Sequence, residues 1–406
     1  MQITAGGVTA PRGFLAGGIH AGLKKENKDL GLIFSRVPCK AAAVYTKNVV
    51  KAAPLHISKQ HLADGSIQAL VVNSGNANAC APDGEENALA MCGLTAQALD
   101  IPPNRVAVSS TGVIGVSMTP KMPQVEQGIF TLANQITSDA SGSRAAAEAI
   151  MTTDLTVKEA AFSLTLGGKS VHVGGIAKGS GMIHPNMGTM LAFLTTDVSI
   201  DGKLLDEALR RAVDLSFHRI SVDGDTSTND FCLLMANGLA ENPEIREKNA
   251  DYQAFLQALT ALCVHLAREI AADGEGAKHL ITCTVHHAPT EEVAAALSRS
   301  VISSSLVKTA IFGRDANWGR ILCAMGYAGV DFNPERVRVA FQSQAGEIVL
   351  CENGRGLVFD EVLAEQVLTP REVVIHIDMN QGEETATCWG CDLSYDYVKI
   401  NGEYRT

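Results

Sequence analysis

The sequence predicts a mixed α/β (α+β) protein of layered sheets and helices, and three observations support this. The chain has 406 residues, more than one ordinary core usually holds, so we expect two domains or one large layered unit. It is 46% hydrophobic and 19% charged, which allows a sizeable core. Short apolar or β-branched runs alternate irregularly with helical patterns. Such alternation favours sheets covered by helices.

The predicted strands are short and bounded by Gly, Pro, Asn or Asp. In chain order they are residues 30–34, 68–73, 105–110, 162–166, 190–195, 231–235, 280–286, 336–341, 347–350 and 372–377. Helical patterns cover residues 85–99, 204–215 and 252–270, and the last has an apolar stripe from Tyr252 to Ile270. The polar stretch 240–251 predicts a surface loop.

Charge and composition argue against several classes of function. The formal net charge is -11 and only 5% of residues are aromatic, so a broad nucleic-acid surface is not expected. No run approaches eighteen uninterrupted apolar residues, and the first residues lack the apolar segment of a secretory signal. We therefore expect a cytoplasmic protein that does not bind membranes.

The ten cysteines are spread from Cys39 to Cys391, which fits reduced and mostly buried thiols in a chain of this length. Cys388 and Cys391 have CxxC spacing, but there is no second CxxC to complete a zinc site. Structural thiols are therefore favoured over redox or metal chemistry.

The most unusual segment is residues 178–197, where a loop rich in Gly, Pro and Asn ends at Thr189 and an apolar strand follows. If the Thr189 hydroxyl attacked the Gly188–Thr189 peptide, an N→O acyl shift and hydrolysis would leave Thr189 as a new N-terminus. Its α-amine could then act as general base for its own hydroxyl. A threonine that starts a strand can equally be structural. The nearby glycines form neither a dinucleotide-binding fingerprint nor a phosphate loop.

Nine ordered blocks give the chain a close resemblance to the ornithine acetyltransferase (glutamate N-acetyltransferase) family. They are AAAVYT (41–46), NSGNANAC (73–80), STGVIG (110–115), MTTD (151–154), KGSGMIHPNMGTML (178–191), VDGDTSTND (222–230), DGEGA (273–277), GRDANWGR (313–320) and YVKINGEYRT (397–406). The blocks span nearly the whole chain and are much more specific together than any one of them.

The resemblance implies a layered αββα sandwich, similar in arrangement to N-terminal nucleophile hydrolases, with a smaller C-terminal α/β domain. It also implies autocatalytic cleavage into an α chain (1–188) and a β chain (189–406), which assemble as a heterotetramer of two α and two β chains. The implied activity transfers acetyl from N2-acetyl-L-ornithine to L-glutamate in arginine biosynthesis. No cofactor is implied, although acetyl-CoA is a possible second acetyl donor.

The resemblance also assigns site residues. Thr189 is the nucleophile, Gly188 and Thr189 form the cleavage site, and Thr111 and Gly112 stabilise the oxyanion. The residues that match substrate-contacting positions of the family, in addition to Thr189, are Thr152, Lys178, Glu275, Asn401 and Thr406. A cation and a carboxylate in one site suit substrates that present carboxylates and an ammonium group.

Two other features invite functional interpretations that we do not favour. The pairs Asp223/Asp225 and Asp273/Glu275 suggest a metal site, but the spacing is not that of a calcium loop and the resemblance calls for no metal. We expect turn and hydrogen-bonding roles. His184 could serve as a base, but the α-amine mechanism does not need it, so a structural role in the loop is expected.

Two alternative functions remain open at this point. An N-terminal nucleophile amidohydrolase or aminopeptidase would use the same threonine with water as acceptor. An unprocessed metabolite-binding protein would show neither cleavage nor turnover.

Overall fold

The computed structural model describes residues 1–184 and 190–403. The strands in these residues are β1 (Gln2–Thr4), β2 (Phe14–Ile19), β3 (Leu30–Tyr45), β4 (Ser66–Asn73), β5 (Val106–Ser110), β6 (Lys158–Leu166), β7 (Lys169–Lys178), β8 (Leu191–Thr196), β9 (Ile220–Ser221), β10 (Phe231–Ala236), β11 (Leu280–Ala288), β12 (Arg338–Ser343), β13 (Gly346–Glu352), β14 (Arg355–Gly356), β15 (Glu372–Asp378) and β16 (Glu384–Cys391).

The α-helices of the same residues are α1 (Ala53–His61), α2 (Gly84–Leu99), α3 (Met122–Ala133), α4 (Ala140–Ile150), α5 (Gly202–Asp214), α6 (Ala250–Ala272), α7 (Glu291–Ser303), α8 (Ser305–Phe312), α9 (Trp318–Gly326), α10 (Glu361–Leu368) and α11 (Tyr395–Glu403). Several have side-chain N-caps: Asp201 accepts hydrogen bonds from the first turn of α5, and Asn249 does so for α6.

The first sheet contains the strands that reach the predicted site residues. Its order is β1-β6-β7-β8-β10-β3-β4-β5, and β2 pairs with β3. β8 lies between β7, to which it is antiparallel, and β10, to which it is parallel. The sheet therefore combines strands from both sides of the predicted cleavage position, so the two predicted chains would share one sheet.

The second sheet is formed mostly by the last third of the chain. Its order is β14-β13-β12-β15-β11-β16-β9, with β11 parallel to β15 and antiparallel to β16. The short strand β9 pairs with β16 and comes from the segment between α5 and β10. This sheet is the main part of the predicted smaller C-terminal unit.

Helices pack on both sheets, and the hydrophobic cores lie between the helices and the sheets. In the first sheet α4 packs on β2 and β3, and α6 packs on β6 and β7. In the second sheet α7 packs on β11 and β16, and α10 packs on β12 and β13. α6 also contacts β16, which joins the two layers. The predicted mixed α/β layered class is confirmed.

By length and composition alone, α6 is long and apolar enough to span a membrane. Its apolar stripe, which includes Phe255, Leu259 and Leu266, is fully buried against the first sheet. A helix buried in a protein core can have the same length and apolar composition as a membrane-spanning helix.

Every predicted strand has a counterpart, as do the helical patterns at 85–99, 204–215 and 252–270. Residues 240–251 are mostly loop, although Ile245 is buried and forms a bridge with Ile200, and α6 already begins at Ala250. The prediction missed β1, β2, β7, β9, β14 and β16. β7 contains Gly174 and Gly175 in its middle, and glycine is rare in strands. A Cβ at Gly174 would collide with the carbonyl of Gly7, so close packing requires the glycine.

Candidate active site

A cleft at one end of the first sheet brings together most of the predicted site residues. Six of them line it: Thr111, Gly112, Thr152, Lys178, Glu275 and Asn401. Its other lining residues are Ile114, Thr153, Gly181, Met182, Ser227, Thr228 and Asn229. The predicted residues Gly188, Thr189 and Thr406 lie outside the described residues. The described part of the chain thus gathers residues that are up to 290 positions apart in sequence into one cleft.

Thr111 and Gly112 form a tight turn directly after β5. The Thr111 N–H donates to the carbonyl of Asn73 (3.0 Å). Gly112 has a φ of 132°, and a Cβ there would lie 2.5 Å from the carbonyl carbon of Gly75. Only glycine fits this conformation and this spacing. The turn places a hydroxyl and a backbone N–H at the cleft, which is the combination that an oxyanion requires.

The side chains of Asn73 and Asn76 form hydrogen bonds with the segments on either side of this turn. Asn73 donates to the carbonyl of Asn76 (2.9 Å) and accepts from the Ser110 hydroxyl (2.6 Å). Asn76 in turn donates to the carbonyl of Val116 (3.0 Å). These bonds satisfy buried carbonyls on both sides of the turn, so its geometry is set before any substrate binds.

Lys178 is the last residue of β7, and its side chain is buried at the cleft. Its Nζ donates to the hydroxyl of Thr152 (3.2 Å). Burial lowers the pKa of Lys178 below its ordinary value, against the opposing influence of the carboxylates of Asp154 and Asp230. A cation with a single neutral partner among the described residues remains available to an anionic group in the cleft.

A buried ion cluster that the sequence analysis did not assign lies behind Lys178. The Lys158 Nζ contacts carboxylate oxygens of Asp154 (2.7 Å) and Asp273 (2.6 Å). Asp154 also accepts from the N–H groups of Gly179 (2.7 Å) and Thr152 (3.0 Å). Burial alone would raise the pKa of Asp154, but the cations beside it lower the pKa overall. The cluster fixes the backbone on both sides of the cleft.

Asp154 lies in the MTTD block. Apart from that block, nothing in the sequence predicts that Asp154 forms ion pairs in a buried cluster. A lysine four residues after an aspartate is common on surfaces, and the sequence does not indicate that Lys158 is fully buried.

Glu275 and Asn401 form the opposite side of the cleft. The Asn401 amide donates to Glu275 Oε2 (2.7 Å), and the Glu275 N–H donates to the carbonyl of Ser180 (3.0 Å). A Cβ at Gly181 would collide with the carboxyl group of Glu275, so this glycine lets the carboxylate approach the cleft. The structure therefore places an acidic group and a cation, Lys178, in the same small space.

The acidic clusters have the predicted hydrogen-bonding roles. Asp223 accepts from the N–H groups of Met182 (2.5 Å) and Ile183 (2.8 Å), and burial raises its pKa. Asp273 accepts from the N–H of Leu155 (3.0 Å) and binds Lys158. Within residues 1–184 and 190–403 there is no group of three metal-ligating side chains.

His184 and the CxxC cysteines have structural surroundings. His184 Nδ1 lies 3.0 Å from the Ser221 hydroxyl, and burial lowers the pKa of the ring. Cys388 and Cys391 are buried in β16, where burial raises the pKa of both thiols. A raised thiol pKa opposes redox and metal chemistry, because both need the thiolate.

Comparison with known proteins gives a consistent result. The chain matches the ArgJ family over residues 15–406. It is 52% identical to the arginine biosynthesis bifunctional protein ArgJ of Symbiobacterium thermophilum and 47% identical to that of Listeria monocytogenes, and both alignments cover 100% of each chain. The crystal structure of the arginine biosynthesis bifunctional protein ArgJ from Bacillus halodurans is similar with a TM-score of 0.51 at 44% identity, covering 53% of this chain and 100% of that one. The family match includes every residue that lines the cleft.

Proposed function

The chain belongs to the ArgJ family, and from that premise we propose that it is an acyltransferase of arginine biosynthesis. The proposed reaction moves the acetyl group of N2-acetyl-L-ornithine to L-glutamate. The observation that supports it is the cleft itself, in which a constrained Thr111–Gly112 turn faces a buried cation, Lys178, and a carboxylate, Glu275.

The proposed enzyme first cuts its own backbone between Gly188 and Thr189. The Thr189 Oγ attacks the carbonyl carbon of Gly188, the peptide nitrogen becomes the free α-amine of Thr189, and water hydrolyses the resulting ester. Both residues lie outside the described part of the chain. Met190, the next residue, is held at the start of β8 by a hydrogen bond from its N–H to Asp230 (2.9 Å).

Acetyl transfer would then use the exposed threonine twice. The α-amine accepts the hydroxyl proton while Oγ attacks the acetyl carbonyl carbon, and the Thr111 hydroxyl and Gly112 N–H donate to the oxyanion. Ornithine leaves as an amine that takes the proton, and an acetyl-Thr189 ester remains. The amine of glutamate then attacks this ester, and Oγ recovers its proton.

We assign substrate binding to the charged and polar residues around the cleft. Lys178 suits a substrate carboxylate, and Glu275 suits an ammonium group. Thr152 and Asn401 offer a hydroxyl and an amide. Thr189 and Thr406 complete the proposed set from outside the described residues.

The length of the Bacillus halodurans chain is close to that of the proposed β chain. That chain is covered completely while spanning 53% of this one. Residues 189–406 are 218 of the 406 residues here, so a cleaved β chain would have about that proportion. We further propose a cytoplasmic heterotetramer of two α chains (1–188) and two β chains (189–406), with acetyl-CoA as a possible second donor.

Mass spectrometry of the enzyme trapped with N2-acetylornithine alone tests the proposal. We expect two chains and an adduct of one acetyl group on the peptide that begins at Thr189. The Thr189→Ala variant should remain full length and inactive. An intact wild-type chain, or an active enzyme without this adduct, would contradict the proposal.

Product analysis separates acetyl transfer from simple hydrolysis. With acetylornithine and glutamate present, we expect N-acetylglutamate to form in step with ornithine. Release of ornithine with free acetate instead would indicate an amidohydrolase that uses water as acceptor.

A further inference from the structure

Asn229 and Asp230 are consecutive buried residues that contact two different sides of the cleft. Asp230 binds the segment that leads into β8, and Asn229 binds the turn that carries Thr111 and Gly112. Neither side chain has a role in the proposed mechanism. The two residues nevertheless contact both the segment that precedes β8 and the Thr111–Gly112 turn.

Asp230 fixes the start of β8. Its Oδ1 accepts from the N–H of Met190 (2.9 Å), and the N–H of Phe231 donates to the Met190 carbonyl (3.1 Å). Both polar backbone groups of Met190 are therefore bound. Because Met190 is joined to Thr189 by a peptide bond, these contacts constrain the chain at the residue next to the proposed nucleophile.

Asn229 fixes the turn on the other side. Its Nδ2 donates to the carbonyls of Ser110 (2.7 Å) and Ala77 (2.6 Å). Ser110 directly precedes Thr111, and the N–H of Ala77 donates to the carbonyl of Val113 (2.9 Å). One amide group thus reaches the chain on both sides of the Thr111–Gly112 turn.

The segment that carries these two side chains is itself anchored. The Thr46 hydroxyl donates to the carbonyl of Ser227 (2.8 Å), and the Thr46 N–H donates to the carbonyl of Asp230 (3.0 Å). Thr46 directly follows β3, which neighbours β10 in the first sheet. Residues 227–230 are therefore a rigid connection rather than a free loop.

We propose that Asn229 and Asp230 are positioning residues that together set the distance between the start of β8 and the Thr111–Gly112 turn. The inference rests on the proposed function, because it concerns the spacing of the nucleophile and the oxyanion donors. Both must lie about 3 Å from one reacting group, and a displacement of about 1 Å can lower the rate about 100-fold.

The surroundings of Asp230 indicate how it acts. The residue is fully buried, and its Oδ1 accepts from the Met190 N–H. Burial raises the pKa of Asp230 well above its ordinary value. The Asp230→Asn variant keeps an oxygen that can accept from the Met190 N–H but carries no charge, so it separates this hydrogen bond from charge.

The first experiment compares Asp230→Ala with Asp230→Asn, with kcat expressed per Thr189 N-terminus counted by mass spectrometry. We expect the alanine variant to lose about 100-fold in kcat with little change in KM, and the asparagine variant to stay within about fivefold of wild type. Asp197→Ala is the matched control, because Asp197 accepts from the N–H groups of His172 (2.7 Å) and Arg12 (3.1 Å) just after the other end of β8. It should lower thermal stability and keep the wild-type kcat.

The second experiment removes the other contact. Asn229→Ala should lower kcat about tenfold or more, whereas Asn242→Ala should not. Asn242 is an equally buried asparagine whose Nδ2 donates to the carbonyls of Ser199 (3.1 Å) and Pro243 (2.8 Å), away from the cleft. If the two residues set one distance, the double variant Asn229→Ala/Asp230→Ala should be no slower than Asp230→Ala alone.

The cleavage rate gives a readout when Asp230→Ala yields no active enzyme. A folded Asp230→Ala precursor that stays intact, beside an Asp230→Asn variant that cleaves, would support the inference, since cleavage needs the same alignment. Wild-type kcat in Asp230→Ala, equal losses in both Asp230 variants, or multiplying losses in the double variant would each overturn it. A wild-type enzyme that is active without the acetyl adduct would refute the proposed function instead, so the two failures are distinguishable.

Discussion

Two nearly buried lysines, one in the cleft and one beside the second sheet, show how differently the two regions use a charge. Lys178 and Lys308 are each 3% exposed. Lys308 is a residue of α8, and its Nζ donates to the carbonyl of Cys391. The distance from this Nζ to the Cys391 Sγ is 3.7 Å. Lys178 makes one bond of 3.2 Å to the Thr152 hydroxyl and faces open space.

The difference teaches that burial alone does not indicate function. Burying an ammonium group is expensive, and a folded protein offsets this by giving it hydrogen-bond acceptors. Lys308 joins α8 to β16 through its hydrogen bond to the carbonyl of Cys391. Lys178 keeps donor capacity directed to a cleft that also contains Glu275, as expected for a residue that binds a ligand.

Among variants that distinguish the cleft from the second sheet, we expect the largest loss of kcat for Gly112→Ala. A Cβ would collide with Gly75 and strain the backbone at a φ of 132°, so the proposed oxyanion donor would move. Loss of one such donor typically lowers kcat about 10²- to 10³-fold. Steady-state kinetics and the cleavage rate measure the change.

Gly329→Ala is the matched control in the second region. Gly329 also has a positive φ, 79°, but nothing lies within 4 Å of its added Cβ. We expect about 1 kcal/mol of lost stability from the backbone conformation and an unchanged kcat. Equal kinetic losses in both glycine variants would remove the distinction between the regions.

A smaller effect is expected when the two lysines are compared directly. Lys178→Met should lower kcat/KM about 10- to 100-fold, because a charge-assisted bond to a ligand contributes about 1.5–3 kcal/mol. It should leave thermal stability unchanged or higher, since a poorly paired charge is removed from the interior. Differential scanning calorimetry and kinetics give the two values.

Lys308→Met should show the opposite pattern. The carbonyl of Cys391 would lose its donor, and a buried unsatisfied acceptor costs about 1–3 kcal/mol of stability. The kcat should stay at the wild-type value. A large loss of activity in Lys308→Met with normal stability would show that the second region takes part in catalysis.

Asn401→Ala should have a modest effect, and it tests whether α11 serves the cleft. Removing the amide that donates to Glu275 (2.7 Å) should raise KM about two- to tenfold, in line with about 0.5–1.5 kcal/mol for a hydrogen bond. Val398→Ala is the control on the same helix, since Val398 is 68% exposed. Identical KM values for the two variants would show that Asn401, and with it α11, does not contribute to substrate binding.

The smallest effect concerns the pH dependence of stability at Lys24, whose Nζ donates to the carbonyls of Met151 (2.5 Å) and Lys28 (3.0 Å). Burial lowers the pKa of Lys24 from 10.5 to about 8. Between these values the unfolded chain binds a proton that the folded chain does not, so this group makes the free energy of unfolding rise with pH. Below about pH 8 its penalty is constant.

Lys24→Met should therefore lose this rise. Urea unfolding at pH 7.5 and pH 10 should show wild type gaining stability relative to the variant at the higher pH. A stability difference that does not change between the two pH values would contradict the lowered pKa. Because Lys24 is partly exposed, solvent screening keeps the effect small.

Local sequence patterns predicted many elements but missed those that depend on neighbours. The stripe of α6 and the apolar run of β8 need only periodicity and composition. β7 contains two glycines, and it forms a strand because β6 and β8 pair with it on both sides. β9 has only two residues and exists because β16 lies beside it.

The cleft residues divide in the same way. Thr111, Gly112, Lys178 and Glu275 could be proposed because they lie in recognisable blocks, and the structure places all four around one cleft. Lys158 could not be found, since full burial of a lysine depends on two distant carboxylates that the sequence does not place beside it. Asn229 and Asp230 lie in a recognised block, but their partners Ser110 and Met190 are known only from the fold.

The sequence by itself determined the layered α/β class, the family, and the residue types available for acyl transfer, because these follow from composition, periodicity and ordered motifs. Only the tertiary structure decided that a cation and a carboxylate share one cleft and that Lys308 does not belong to it. The physical reason is that hydrogen-bond partners, burial and the resulting pKa shifts depend on contacts between segments far apart in the chain. Local sequence does not encode which distant group satisfies a buried charge.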